Sequence, residues 1–508
     1  MKDKITFLQK MPGDILALVA GAIVPLAFAP FEIALLAPLA LVILMLCWYQ
    51  VSPGRAFFRG WLFGLGMFGV GVSWVHISMN QFGGIGVPLS VFLTALFVMF
   101  LALFPALTGY LGRKLAMRGE HKIAREYLLI IPAMWIFVEW IRGIIFTGFP
   151  WLSLGYSQID MPISGFAPLF GVYFISFATV LTAGLIAYML LQGKGAIKRA
   201  LPALVLLWLV PGVLKTLDWS QPVGEPIKIS MIQGNIAQDQ KWLSQQRQPT
   251  LEMYTRLSRE NWDSDLVIWP ETAIPAMYHQ AIHWLKNIAQ EARMNSSELL
   301  VGLPVYNKRE DEYFNSMLSL GLKESFYEKT HLVPFGEYLP LKEYLGGIID
   351  FFDIPMSNFT AGRQEKPLLF VGGQHAGISI CYEDVFGEEV ALALPEAKYL
   401  INASNDAWFG DSLAPHQHLQ IARMRSLETG RYLVRSTNTG ISAFIDEKGR
   451  IVSSSPQFKT HVLTDSIQPM EGMTLYAVFT NAPAVILSIL MMGVALFLGR
   501  KQKELEAN

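Results

Sequence analysis

A cysteine, a glutamate and a lysine each stand near the point where an apolar run of this chain stops. Cys381 follows Gly377-Ile378-Ser379-Ile380 and precedes Tyr382-Glu383-Asp384. Glu271 follows Val267-Ile268-Trp269-Pro270, and Lys329 lies in Tyr327-Glu328-Lys329-Thr330-His331. The apolar runs read as buried strands, and strand ends on one side of an α/β sheet converge in space although distant in sequence. Together the three residue types suit acyl transfer. A carboxylate takes the thiol proton, the thiolate attacks a carbonyl, and an ammonium steadies the thiolate and the oxyanion. Each residue taken singly has a plainer reading. A lone cysteine often packs in a core as a small apolar side chain, and Glu271 and Lys329 alone would suit a surface or a salt bridge. The only other cysteine, Cys47, lies in an apolar run near the N-terminus, so the pair suggests no disulfide.

The elements that must position these residues begin at Glu225. Strands are expected at 227–232, 266–269, 298–304, 313–321, 325–333, 376–381, 399–403, 432–437, 440–446 and 461–466, with helices at 247–260, 279–293 and 415–429. Fully apolar strands separated by helices imply a sheet covered on its faces. The expectation is an α/β layered domain of about 240 residues, large enough for its own core.

The rest of the chain has a different composition. Hydrophobic residues make up 52% and charged residues 16% of the chain, too apolar for an ordinary soluble protein. Apolar runs near 14–29, 33–50, 57–76, 87–111, 127–145, 165–191, 200–216 and 474–499 predict about eight membrane-spanning helices. Lys and Arg fall on every second connection, and 30–32, 77–86 and 146–164 carry none. The positive-inside rule then places both termini in the cytoplasm and the α/β domain outside. The predicted organisation is helices one to seven over 1–219, the α/β domain over 220–470, and helix eight with a tail over 471–508. Glu139 and Arg142 sit three apart on one of these helices and can offset each other's charge. The net charge of -1 gives no sign of nucleic-acid binding. No Cys-x-x-Cys, His-Glu-x-x-His or Walker loop is present, so no metal or cofactor is expected.

Trp269-Pro270-Glu271-Thr272, Tyr327 to Glu337 and Ile380-Cys381-Tyr382-Glu383 resemble the three catalytic blocks of the nitrilase, or carbon–nitrogen hydrolase, superfamily. That resemblance implies a Glu271-Lys329-Cys381 triad on an αββα sandwich. With the apolar helices included, nearly the whole chain resembles the apolipoprotein N-acyltransferase family of the bacterial inner membrane. Gly234-Asn235 with Lys241-Trp242, Asn402 to Phe409, and Phe149-Pro150-Trp151 carry the same likeness. It implies that a phospholipid donates an acyl chain to Cys381 and that a diacylglyceryl-modified apolipoprotein accepts it. It further implies that Glu337 is a second pocket acid, that Tyr382 and Glu383 shape the site beside the nucleophile, and that Trp242 and Trp408 lie on mobile loops near the entrance.

Two rival functions remain at this level. An outward-facing amidase would use the same triad with water as acceptor. A transporter with an external binding domain is a different class, and no chain of ionisable residues marks a pathway through the apolar helices. The aromatic stretch 149–156 and the apolar segment 345–356 favour a lipid substrate.

Overall fold

The computed structural model describes residues 10–118, 122–321, 324–338 and 358–507. The apolar segment 345–356 lies outside them. The chain divides into two compact units. One is built from residues up to His76, Val91–Leu217 and the chain from Phe479 onward; the other comprises Ile77–Ser90 and Asp218–Val478.

The first unit is helical. Every predicted apolar run contains helix, but their lengths differ. Among the described residues four helices are long and apolar enough to cross a membrane: Val87–Ala116, Pro162–Gln192, Lys194–Leu214 and Ala482–Arg500. A fifth results if Pro53–Gly71 and Val75–Gln81, bent by 52°, count as one span. Met11–Ala27 and Leu36–Trp48 are shorter apolar helices, and the run near 127–145 is helical up to Arg142, entered through Ile123–Arg125 and a π-helical turn, Glu126–Ile130. The expectation of about eight spans therefore exceeds what helix length alone supports. Buried charges here are matched: Arg113 bonds Glu126 at 2.7 Å and Arg59 bonds Asp14 at 2.8 Å. Glu139 accepts from Ser176 Oγ at 2.6 Å and Trp135 Nε1 at 3.0 Å. Arg142 donates to the Phe149 and Trp151 carbonyls, both at 2.6 Å, so it shapes the turn after its own helix.

The second unit is a four-layer αββα sandwich, as the resemblance implied. One six-stranded sheet runs His461–Ile467, Ile227–Gln233, Leu266–Trp269, Glu298–Asn307, Glu312–Leu320, Glu324–Glu328. The other runs Ile451–Ser454, Ala443–Ile445, Leu433–Thr437, Tyr399–Ser404, Gln374–Ile380, Leu368–Val371. Side chains alternate across each strand, and that alternation builds the layers. Ile229, Met231, Leu266 and Ile268 join Ile378, Ile380, Ile401 and Val434 in the core between the sheets. Their neighbours Ile232, Val267 and Trp269 face the other way, against Leu251, Tyr254, Leu285 and Ile288 of helices Ser244–Arg259 and Tyr278–Met294. On the far side Leu400 and Leu433 pack on Leu419 and Ala422 of helix Leu413–Thr429.

Two departures from the sequence reading have local causes. The strand expected over 325–333 ends at Glu328, because the Thr330 and His331 amides donate to the Glu383 carboxylate instead of a neighbouring strand, at 2.6 and 3.1 Å. The strand Leu368–Val371 was not foreseen. It pairs with Gln374–Ile380 through Gly372-Gly373, both at positive φ, as a two-residue hairpin turn requires.

Candidate active site

Both sheets deliver polar residues where their strands end. In the first sheet, parallel strand Leu266–Trp269 stops at Pro270, and Glu271 follows in the turn. Gly302 of the adjacent strand makes room for that turn. A Cβ there would lie 2.7 Å from Thr272 N and 2.8 Å from Glu271 Cα, so only glycine fits without moving the backbone. Thr272 is held at φ +48°, a strained value for a β-branched residue.

Glu271 accepts from Asn315 Nδ2 at 2.7 Å. The same amide reaches Glu337 Oε1 at 3.1 Å, so one asparagine bridges both acids. Lys329 follows directly on its strand, its amide still bonded to the Asn315 carbonyl at 2.8 Å. Its ammonium lies 2.9 and 2.8 Å from the two oxygens of Glu337. Glu337 is held in turn by the Val333 amide at 2.8 Å. Glu337 thus pairs with the cation directly, and Glu271 is joined to that pair through Asn315.

Burial drives the Glu271 carboxyl above the usual glutamate range, with Lys329 opposing and Glu337 reinforcing. Burial works against the Lys329 ammonium, but Glu337, Cys381 and Glu271 together carry its pKa above the ordinary lysine value. It therefore stays charged at neutral pH.

In the second sheet, strand Gln374–Ile380 ends and Cys381 begins a short 3₁₀ turn, Cys381–Val385. Cys381 has φ +52°, in the left-handed region that non-glycine residues rarely occupy. Burial, then the charge of Glu271, push its thiol above the ordinary cysteine value, and Lys329 opposes them. The thiol accordingly keeps its proton at rest, and a nucleophilic thiolate needs a base to remove it.

Glu383, two residues on, ties the sheets together. One of its oxygens accepts from Tyr327 Oη at 2.9 Å, the Thr330 amide at 2.6 Å and Thr330 Oγ1 at 3.0 Å; the other accepts from the Ile380 amide at 2.6 Å. It is a clamp between the Lys329 and Cys381 segments. Tyr382 is buried with its ring edge-on to Phe386, 5.3 Å between centroids. Trp242 follows helix Gln238–Lys241 and is 38% exposed. Trp408 lies in the turn Asp406–Phe409, edge-on to Phe82 at 5.3 Å.

Other polar groups were given no role by the sequence reading, although Lys241 and Asp406 lie in stretches that carry the family likeness. Asn315 bridges the acids, yet one asparagine inside a strand carries no motif. Lys241 is 2% exposed, and burial lowers its pKa to about 8, with Glu271 opposing. Asp384, Asp406, His418 and Arg435 form a wholly buried ionic cluster beside Cys381. Among the described residues no group of histidines, cysteines and acids is arranged to hold a metal.

The αββα sandwich of the second unit is a carbon–nitrogen hydrolase fold. The carbon–nitrogen hydrolase model matches residues 228–473, and the model described as the apolipoprotein N-acyltransferase N-terminal domain matches residues 20–185. A relative from Methylococcus capsulatus, named apolipoprotein N-acyltransferase, is 46% identical over 485 residues, covering 95% of this chain and 96% of its own. Relatives of the same name from Vibrio cholerae and Nitrosomonas europaea are each 41% identical, covering 97% and 96% of this chain and 99% and 98% of their own. The chain belongs to the apolipoprotein N-acyltransferase family.

Proposed function

We propose that this protein moves a fatty acyl chain from a phospholipid to the α-amino group of the N-terminal S-diacylglyceryl-cysteine of apolipoproteins, through a thioester on Cys381. The observation that carries the reading is that Glu271 and Lys329 follow strand ends of one sheet and Cys381 a strand end of the other, with Glu383 bonded to the Lys329 and Cys381 segments alike.

In the first half-reaction Glu271 takes the thiol proton as sulfur attacks the ester carbonyl. Lys329, with backbone N–H groups, stabilises the oxyanion. The C–O bond breaks, Glu271 returns the proton to the departing lysophospholipid oxygen, and the acyl group stays on sulfur. In the second half-reaction the amine attacks the thioester and loses a proton to Glu271. The C–S bond breaks, the amide forms, and the proton ends on the thiol. This is ping-pong chemistry. The raised thiol pKa makes the base necessary, and the raised Glu271 pKa lets it hand the proton on. Glu337 holds Lys329 in place. Tyr382 and Glu383 fix the segment around the nucleophile, and Trp242 and Trp408 border the entrance.

The alternation of Lys and Arg along the connections supports eight crossings, both termini in the cytoplasm, and a catalytic unit facing the periplasm from the inner membrane. The two shorter helices, Met11–Ala27 and Leu36–Trp48, would then cross together with neighbouring segments, and the helical stretch ending in Ile131–Arg142 would cross with its π-helical turn. Both lipid substrates are at hand in the outer leaflet.

The test is the intact mass of the protein after incubation with phospholipid alone. The expected result is a gain of one fatty acyl group, removed by hydroxylamine and absent from Cys381→Ser. No gain, with protein folded and phospholipid intact, sinks the phospholipid-donor reading in favour of a small-molecule amidase.

A further inference from the structure

The geometry and the charges of the buried cluster beside Cys381 together bear on its proton count. His418, on helix Leu413–Thr429, is 3% exposed. Its Nε2 lies 2.8 Å from Asp384 Oδ1 and 3.3 Å from the Cys381 carbonyl oxygen. Its Nδ1 lies 3.1 Å from Asp406 Oδ1. Both ring nitrogens therefore face oxygens that accept when the aspartates are ionised. A neutral imidazole has one donor and one acceptor and satisfies only one side; an imidazolium satisfies both.

The aspartates have a reason to remain ionised. Arg435 reaches Asp406 Oδ2 at 2.9 Å and Asp384 Oδ2 at 3.4 Å, and bonds Asn402 Oδ1 at 2.5 Å. Burial alone would raise the Asp406 carboxyl, but Arg435 and His418 hold it well below the usual range. Two carboxylates, one guanidinium and one imidazolium sum to zero, the only charge a dry interior tolerates cheaply. Glu388 and Glu389 lie on the neighbouring helix Gly387–Ala391, and Glu389 is engaged by His331 Nδ1 at 2.7 Å. Arg423, Arg425 and Glu428 share His418's own helix, and Arg425 pairs with Glu428 at 3.0 Å. Burial and Arg435 oppose a proton on His418, but the bonds to Asp384 and Asp406 outweigh them and raise its pKa.

We propose that His418 is a permanently protonated positioning residue that, with Asn402, holds the Cys381 carbonyl inward and so fixes the strained peptide that presents the nucleophile. Asn402 Nδ2 donates to the same carbonyl at 3.2 Å. In a trans peptide the following N–H points opposite to the carbonyl. Anchoring the Cys381 carbonyl to the cluster therefore aims the Tyr382 N–H away from it, towards the side where an oxyanion forms. His418 touches no substrate in this scheme; it sets the attack geometry.

The proposal rests on Cys381 as nucleophile, but its first test needs no activity. Solid-state nitrogen NMR of histidine-labelled full-length protein in lipid separates an imidazolium, whose ring nitrogens resonate close together, from a neutral ring, whose nitrogens lie far apart. At pH 8 one imidazolium is expected, and it persists in His331→Gln, which removes a second histidine bonded to a carboxylate. No imidazolium at pH 8, or one lost in His331→Gln, overturns the proposal. The second test is His418→Gln, which keeps size and polarity without the charge. At saturating phospholipid its acylation rate constant falls about 10- to 100-fold, while the half-saturating concentration and the acyl-enzyme amplitude stay near wild type. An amplitude that drops with an unchanged rate constant indicates a merely structural role and overturns it too. Should His418→Gln not fold, the spectra of the other two proteins decide alone.

Discussion

The two sheets meet the reaction with opposite designs. The first sheet supplies Glu271, Glu337 and Lys329: Glu337 pairs with Lys329, and Asn315 bridges the two acids. Burial raises the Glu271 carboxyl above the usual glutamate range, so this acid can take up a proton. The second sheet supplies Cys381 above Asp384, Asp406, His418 and Arg435, whose charges cancel and whose side chains are wholly enclosed. A proton has nowhere to go there without leaving a buried charge unmatched. One sheet is thus built to move protons and the other to hold a strained backbone still. Glu383 joins them, accepting from Thr330 on one side and the Ile380 amide on the other.

Removing the reacting atom is the largest break. Cys381→Ala should abolish acyl-enzyme formation, with turnover falling by about 10⁴-fold or more, while the thermal midpoint stays near wild type. A transporter would keep its flux, so retained function would exclude acyl transfer as the role of this domain.

The acids of the first sheet separate next. Glu271→Gln should slow acylation by roughly 10²- to 10⁴-fold, the usual worth of a general base. Glu337→Gln should cost less, because it loosens Lys329 without removing the base. Single-turnover acylation rates decide, and the reverse order would exchange the two roles. The pH profile sharpens the same point. Glu271 acts as a base only when ionised, and burial raises its pKa. Acylation should therefore be lost as pH falls, and lost at higher pH than an ordinary glutamate would give. An acid limb in the normal glutamate range would mean the base lies elsewhere.

Gly302→Ala tests whether the first sheet needs its backbone placed as tightly as the second. The added methyl meets the turn that carries Glu271, so the turn must shift. A displacement on the order of 1 Å can cost about 10²-fold in rate, and the loss should appear in the acylation rate constant with the fold intact by circular dichroism. A silent Gly302→Ala would show that the first sheet tolerates slack.

The sequence made the first sheet's chemistry legible and left the second sheet's support hidden. Glu271, Lys329 and Cys381 stand out because each ends or follows an apolar run, and strand 266–269 was bounded as observed. Periodicity also placed helices 279–293 and 415–429 to within two residues. Asp384, His418 and Arg435 were not legible, because they come from three elements and make sense only once those pack. The end of the strand at Glu328 was missed for the same reason, since its amides are taken by Glu383 from the other sheet. In the helical unit the apolar runs were plain, but hydropathy does not register the bend after Gly71 or the short helices, and helix length alone supports four or five spans.

The smallest effect concerns the segment Ile77–Ser90, which groups with the catalytic unit although 77–86 reads as a connection between apolar helices and 87–90 as the start of the next one. Its Phe82 ring meets Trp408 edge-on, two residues beyond Asp406 of the buried cluster. Such a pair is worth about 0.5–1.5 kcal/mol beyond the area it buries. If it holds the entrance turn against the rigid second sheet, Phe82→Ala and Trp408→Ala should each raise the apparent KM for phospholipid by roughly two- to tenfold. The double variant should be no worse than either single one, because the second substitution removes a partner already lost. Full additivity would mean that the rings act separately, and the rigidity of the second sheet would then stop at Asp406 and not reach the entrance.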